Sequence, residues 1–435
     1  MTFHDAAARE FPPFSTDLCI KCNVCTTVCP VARVTDDFPG PKFVGPQAQR
    51  FRGPSVEDRA PDDSVDLCSG CGICTRACPA GVLIAETNNR ARASMVESRG
   101  IRLRNRGLRN RLISDTDLIA RLGVPLAPLA NIGLRNRMAR WMGEKLLGVH
   151  RRGPLTTFAR RTFTSWWKRR GGAVALSSAP DPSRSVVYFH GCAVNAFEPD
   201  LGRDVIEILE RNGFTVIVPR QECCGLPFIS NGLYAQARTK ARRNLASLAA
   251  FAHAGYRIVG TSTSCTHALK AEYREMLDLS DADATAVADA TWDICEFLLD
   301  LHDRGSLDVA FGPIDEALPY HPPCQLKSHG IGTPAMDLFA LVPGLRAVDS
   351  DHDCCGAAGT YGLKVERWQI AQDVGAPLFE AVRSSGAARA ACDSETCRWQ
   401  IEQSSGVPTV HPVTILAESY RRADAALEEP WRRIV

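Results

Sequence analysis

Four cysteine positions in the second half of this 435-residue chain recur at an almost constant interval. Cys192, Cys223, Cys224 and Cys265 reappear as Cys324, Cys354, Cys355 and Cys397, at offsets of 132, 131, 131 and 132 residues. Agreement at four positions marks a tandem duplication, so this half must fold as two copies of one unit. Each copy holds an adjacent cysteine pair followed by glycine, in ECCGLP and DCCGAA. Neighbouring cysteines do not readily close on each other: a disulfide wants Cα atoms about 4.4–6.8 Å apart, and adjacent residues sit about 3.8 Å apart. They can instead reach two irons of one cluster. The glycine lets the backbone approach closely or take a positive φ.

Each copy alternates β-rich and helical stretches. SVVYFHGC, TVIVP and YRIVGTSTSC read as strands, with helices over PDLGRDVIEILERNGF and LYAQARTKARRNLASLAAFAHAG. The second copy repeats this with LPYHPPC, LRAVDSDHDCC and ARAACDSETC. Every repeated cysteine therefore follows an expected strand, and in open α/β sheets ligands sit beyond the carboxyl ends of the strands. Three separated segments thus bring four thiols to one place. Free cysteine is also a common core residue, which is the reading given to Cys295 and Cys392, outside the repeat.

The N-terminal region carries a second cysteine pattern, written twice. CIKCNVCTTVCP places Cys19, Cys22, Cys25 and Cys29 before Pro30, and CSGCGICTRACP places Cys68, Cys71, Cys74 and Cys78 before Pro79. Both read C-x₂-C-x₂-C-x₃-C-P, the bacterial ferredoxin run for a [4Fe–4S] cluster, whose fourth cysteine crosses to the other cluster. One cluster is therefore expected on Cys19, Cys22, Cys25 and Cys78, and a second on Cys68, Cys71, Cys74 and Cys29. Two zinc sites are the alternative. The stretch between Cys29 and Cys68 is longer than a compact small ferredoxin needs and fits a helical ferredoxin domain.

MTFHDAAAREFPP has no apolar leader, and no run approaches the roughly 18 apolar residues of a membrane span. The 18 cysteines are then expected to do metal or redox work in the cytoplasm rather than to form a disulfide framework. The net charge of +2 hides an asymmetry. Residues 90–170 hold 20 Lys and Arg against 4 Asp and Glu, a net of +16, while the flanking stretches carry −3 and −11. Arginines there mix with Leu, Met, Phe and with Trp141, Trp166 and Trp167. Such a segment suits an anionic membrane surface. An acidic partner subunit and a solvated linker are the other readings; nucleic acid is set aside because no nucleic-acid fold accompanies the charge.

The C-terminal copies resemble the cysteine-rich CCG repeats of heterodisulfide reductases, glycolate oxidase iron–sulfur subunits and lactate-utilisation proteins. The full arrangement is more similar still to the iron–sulfur C subunits of anaerobic glycerol-3-phosphate dehydrogenases. CIKCNVCTTVCPVARV, FPGPKFVGP, FHGCAVN, CCGLPFISNG, CCGAAGTYG and ETCRWQI carry this likeness, which covers nearly the whole chain. It implies an iron–sulfur subunit that takes electrons from flavin-containing dehydrogenase subunits and passes them to membrane quinone. It also implies a place peripheral to the inner face of the cell membrane and no substrate site of its own. A CCG-type subunit of another oxidoreductase, with glycolate or lactate oxidation or disulfide reduction at the C-terminal cluster, is the alternative. His190 and His321 would then be proton donors; otherwise they hydrogen-bond cluster ligands or cap a turn. One departure stands out: CCG units with non-cubane clusters end in C-x₂-C, and here Ser262 and Ser394 occupy the first of those positions.

The expected fold is α+β and multidomain. A helical ferredoxin-type domain with two [4Fe–4S] clusters spans residues 1–89, and a basic segment for membrane or partner docking spans 90–183. Two tandem α/β CCG modules follow over 184–310 and 311–435, holding one or two further clusters. No catalytic or organic-cofactor residues are expected. GIGTPA at Gly330 matches a dinucleotide fingerprint only superficially, since Pro334 interrupts it.

Overall fold

The duplicated half forms two four-stranded parallel sheets. In the computed structural model, which describes residues 18–50, 63–99, 106–173, 175 and 181–432, the first module holds β1 (Ser185–Phe189), β2 (Thr215–Ile217), β3 (Arg257–Gly260) and β4 (Thr291–Asp293), in the order β2-β1-β3-β4. The second holds β5 (Glu316–Tyr320), β6 (Leu345–Asp349), β7 (Ala390–Ala391) and β8 (Thr409–Val410), in the matching order β6-β5-β7-β8. Val187 pairs with Ile217 on one side and Ile258 on the other; Tyr320 pairs likewise with Asp349 and Ala391. The chain leaves β1 to one side for β2, then returns to the other side for β3. That reversal opens a crevice at the carboxyl ends of β1 and β3. β1 is apolar from Val186 to Phe189 because all five of its residues are buried, its alternate side chains packing into cores on both faces.

The modules share a core. Tyr188, Ile294 and Leu298 of the first pack in one apolar cluster with Leu318, Leu338, Val413 and Leu416 of the second. His411 Nε2 lies 2.9 Å from the Thr261 carbonyl across the seam. The fourth strand of each sheet, β4 and β8, is absent from the sequence reading.

The ferredoxin-type region is helical, with no strand among its described residues. Its two cysteine loops share a backbone. Lys21 and Asn23 in the first, and Gly70 and Gly72 in the second, all take left-handed φ of 61°, 70°, 69° and 78°. The helix Ile84–Arg99 then docks the region onto both modules. Arg92, almost fully buried, donates to the Ser230 carbonyl of the first module and to the Val65 and Cys68 carbonyls of its own. Tyr361 of the second module donates to the Leu67 carbonyl at 3.0 Å.

The basic segment is no free linker over residues 106–173. Arg109 forks onto Glu366, with its nitrogens 2.9 and 2.7 Å from the two carboxylate oxygens. Ser114 donates to the Pro227 carbonyl and accepts from Asn231. The expected lipid-facing role of the Trp166–Trp167 pair is corrected here. Trp167, 3% exposed, fills the first module's core beside Phe163 and donates its indole N–H to Ala173; Trp166 packs against the same core. An indole at helical spacing from another apolar ring is satisfied by the core it faces. Trp141 alone of the three stays open to solvent.

Candidate iron–sulfur centres

Three of the first module's four strand ends, those of β1, β2 and β3, carry thiols into the crevice. β1 turns at His190 into the short helix Gly191–Ala196, which bears Cys192. β2 runs on to the Cys223–Cys224 pair, turned by Gly225 at φ 90°. Beyond β3, Ser262 caps the helix Thr263–His267, its hydroxyl accepting from the Cys265 amide at 3.4 Å. This serine is thus occupied as a helix cap. The thiols meet in a chain: Cys192 hydrogen-bonds Cys223, and Cys224 hydrogen-bonds both Cys223 and Cys265. Donation from Cys192 and Cys224 holds the Cys223 thiol well below its ordinary range. Among the second module's thiols, Cys324 meets Cys354, and the Cys355 and Cys397 sulfurs lie 2.9 Å apart. Ser394 again stands at the cap position, beside Thr396 at 3.4 Å.

Gly356 takes φ 79°, and a Cβ there would sit 1.9 Å from the Ala371 carbonyl oxygen. The glycine after the pair is therefore required on two counts, conformation and close approach.

All eight repeated cysteines line one cavity, with about 910 Å³ of empty space including its mouth, and Cys71 of the ferredoxin-type region lines it too. Burial first, then the neighbouring Cys324, pushes the Cys71 thiol up. Arg76 braces this contact, donating to the Cys324 carbonyl at 3.2 Å and to Ser328 at 2.7 Å. Within the ferredoxin-type region, burial raises Cys25, a Thr26 hydrogen bond partly offsets it, and the Cys78 and Cys19 thiols add to it. Burial likewise takes Cys29 to about 11, with a further rise from Cys68. Cys74 is raised by burial and by Cys68, Cys71 and Cys29. So Cys78 lies with Cys19 and Cys25, and Cys29 with Cys68, Cys71 and Cys74. Cys22 is exposed at the outer end. Backbone amides of Ala32 and Val82 point at the Cys29 and Cys78 sulfurs, at 3.5 and 3.4 Å.

A buried group of thiols can be ionised together only against a positive charge placed among them. The donor set fits iron–sulfur clusters: soft sulfur, convergent, buried and too crowded to be packing alone.

The sequence reading missed the group that closes the first module's site. Thr116 and Asp117, in the basic segment, sit against Cys192 and Cys223. The Asp117 carboxylate accepts from the Cys223 amide at 3.0 Å and from Lys240 at 2.6 Å, and Lys240 also reaches Glu222 at 2.9 Å. Burial and then Cys223 raise the Asp117 pKa against the pull of Lys240. No motif marks this aspartate. The only signal is that it is one of four acids in a stretch of twenty bases. Of the two histidines, His190 is pushed down to about 4 by burial and has Nδ1 2.6 Å from the Gly191 carbonyl. His321 places Nδ1 3.2 Å from the Ser350 hydroxyl. Cys392, assigned to packing from the sequence, is wholly buried and meets the Cys397 thiol.

These features define an iron–sulfur protein built from a two-cluster ferredoxin-type domain and a fused pair of cysteine-rich α/β modules. A family model described as a 4Fe-4S dicluster domain matches residues 15–82, and one described as a cysteine-rich domain matches residues 186–270 and 318–402. The C subunit of the anaerobic glycerol-3-phosphate dehydrogenase of Escherichia coli is 37% identical over 408 residues, 93% of this chain and 98% of that protein. Lactate utilization protein A 1 of Bacillus mycoides is 31% identical over 188 residues, 41% of this chain and 74% of the relative. The B subunit of a fumarate reductase (CoM/CoB) of Methanothermobacter marburgensis is 30% identical over 213 residues, 48% of this chain and 39% of the relative. The chain belongs to the family of anaerobic glycerol-3-phosphate dehydrogenase C subunits. It is an iron–sulfur subunit of an oxidoreductase complex.

Proposed function

We propose that this chain is the electron-transfer subunit of a glycerol-3-phosphate dehydrogenase complex, taking electrons from a flavin-containing subunit and delivering them to membrane quinone. The observation that carries this reading is the continuity of the thiol sets: Cys71 of the ferredoxin-type region lines the same cavity as all eight cysteines of the two modules. Clusters bound on these residues would supply reversible one-electron chemistry over a wide range of potentials. Cys19, Cys22, Cys25 and Cys78 would hold one [4Fe–4S] cluster, and Cys68, Cys71, Cys74 and Cys29 the other. Cys192, Cys223, Cys224 and Cys265 would hold a centre in the first module, and Cys324, Cys354, Cys355 and Cys397 one in the second. The chain's own residues exclude water from these thiols, fix their spacing through Gly225 and Gly356, and clamp the three parts together through Arg76, Arg92 and Arg109.

The basic segment supports peripheral attachment to the inner face of the cell membrane. Its helices Thr116–Gly123, Ala127–Arg135 and Arg137–Leu147 turn Leu122, Leu129, Ile132, Met138 and Leu146 to solvent, with Leu126 exposed at the start of the second; Leu129 is 70% and Leu146 82% exposed. Arg121, Arg135, Arg137 and Lys145 are exposed on the same helices. Among the described residues no single helix is long and apolar enough to cross a membrane, and the first two of these helices are bent 110° from each other. Short amphipathic helices with a basic rim lie in the interface rather than across it. Each basic residue at an anionic surface adds about 1 kcal/mol, and each large apolar side chain taken from water about 1.5–3 kcal/mol.

Two assays test the reading. Assembled with the flavin-containing subunits of a glycerol-3-phosphate dehydrogenase, the chain is expected to support reduction of a quinone analogue by glycerol-3-phosphate; turnover only in a lactate- or glycolate-oxidising assembly would move it to the alternative complex. The purified chain is expected to float with phosphatidylglycerol vesicles and not with phosphatidylcholine, and Leu129→Glu with Leu146→Glu to abolish flotation. Equal recovery of wild type and variant would remove the membrane assignment.

A further inference from the structure

The duplication is unequal at two positions beside the thiols. Tyr188 and Tyr320 match, and the residue after each is Phe189 in the first module and His321 in the second. Five residues before the last cysteine the first module has Gly260 and the second Cys392. Resting on the reading that the second module holds an iron–sulfur centre, we propose that His321 is a further ligand of that centre, adding a ring nitrogen to the sulfurs of Cys324, Cys354, Cys355 and Cys397.

The geometry that points to it is local. His321 follows β5 and is 2% exposed. Its backbone N–H donates to the Ala391 carbonyl of β7 at 2.9 Å, and its Nδ1 lies 3.2 Å from the Ser350 hydroxyl just past β6. The ring is therefore held from both neighbouring strands. Its Nε2 is buried with no nitrogen or oxygen partner, and its ring meets the Cys397 sulfur. A ring nitrogen of His321 and the sulfurs of Cys355 and Cys397 all lie within 4.8 Å of one another. A buried polar atom left unpaired is costly. A lone pair donated to iron removes that cost, and a contact from the other ring nitrogen is the usual way such a ligand is oriented. Nδ1–H toward Ser350 leaves the Nε2 lone pair facing the thiols. Cys392 packs with Cys355 and Cys397 and meets Cys397; in this assignment its thiol hydrogen-bonds the Cys397 sulfur and stays off the metal. Phe189 has no lone pair, so the first module lacks a donor at that position. Ser394, in the position where related units carry a fifth cysteine, need not ligate.

The test is nitrogen hyperfine spectroscopy on the anaerobically purified full-length protein, grown with natural-abundance or ¹⁵N-labelled histidine. The expected result is a strong histidine nitrogen coupling on the second module's paramagnetic signal. That signal is identified by its loss in Cys355→Ala. His321→Phe, which copies the first module, is expected to retain the other signals and to lose the nitrogen coupling. A second-module signal without histidine coupling would overturn the ligand assignment while leaving the cluster in place. So would loss of that signal in Cys392→Ala with His321→Phe unchanged. Full-length protein with iron for the two N-terminal clusters alone, and spectra unmoved by Cys355→Ala, would overturn the cluster reading itself, and the ligand with it.

Discussion

The two modules share strand order, register and the placement of four thiols, yet their sites are closed by different parts of the chain. The first is capped by Thr116, Asp117 and Lys240, a polar lid recruited from the basic segment and the module's own long helix Tyr234–His253. The second is capped by the ferredoxin-type region, with Cys71 beside Cys324 and Arg76 on the Cys324 carbonyl. Duplication supplied the scaffold; the surroundings made the two centres unlike. The second centre looks toward the ferredoxin-type clusters, and the first toward the segment that carries the exposed apolar helices. In the proposed function this would give the path a direction without any difference in fold.

The largest expected effect that separates the modules is at the glycines after the paired cysteines. Gly356→Ala drives a methyl group into the Ala371 carbonyl at 1.9 Å, whereas Gly225→Ala meets nothing nearer than 3.4 Å. Both pay about 1 kcal/mol for a left-handed alanine. Iron analysis is expected to show loss of the second module's irons in Gly356→Ala and retention of the first module's in Gly225→Ala. Equal loss would mean that the two turns are equally tight.

A smaller effect is expected at the first module's lid. Asp117→Asn removes a negative charge from beside Cys223 and keeps an acceptor for its amide. Reduction adds negative charge, so the variant's first-module centre should have a higher midpoint potential, with the second-module centre unmoved. A redox titration followed by electron paramagnetic resonance checks this; a shift confined to the second module would misplace the lid.

The smallest effect concerns stability against pH. Asp293 and Asp393 are wholly buried near Cys295, where burial and then their mutual repulsion raise Asp293 to about 8, and burial raises Asp393 to about 6. Both carboxyls bind protons more tightly folded than unfolded. Their contribution is full below about pH 4 and is lost as pH rises through 6 to 8. Asp293→Asn, which keeps the helix cap, is expected to flatten that decline. Thermal unfolding between pH 5 and 8.5 measures it, and an unchanged slope would place the proton elsewhere.

Much of this molecule is legible in its cysteines because metal-site chemistry ties residue type to spacing. The two ferredoxin runs and the strand-end position of Cys192, Cys223, Cys224 and Cys265 follow from that. Strands with long apolar runs, such as β1, are equally plain. Other features depend on packing between distant segments. β8 is two residues long, too short for a periodic signal, and exists because Thr409 and Val410 pair with Ala390 and Ala391. Trp167 looks interfacial in a basic stretch until Phe163 and the first module's core are placed beside it. Asp117 belongs to a site more than a hundred residues away that no local pattern records, whereas His321 stands out in the sequence just before Cys324 and only the folded sheet brings it to Cys355 and Cys397. Cys392 is five residues from Cys397 and falls outside the repeat, where the first module has Gly260, and the turn after β7 brings the two thiols together.

The proposed electron path from the ferredoxin-type clusters to the modules' centres runs through the contact of Cys71 with Cys324. Its most direct test is magnetic interaction between centres in the fully reduced, full-length protein. Electron paramagnetic resonance is expected to show the Cys68–Cys74 cluster and the second-module centre broadening and relaxing each other, with both effects gone in Cys355→Ala. Spectra that are the simple sum of isolated centres, unchanged in relaxation when the second module is emptied, would contradict it.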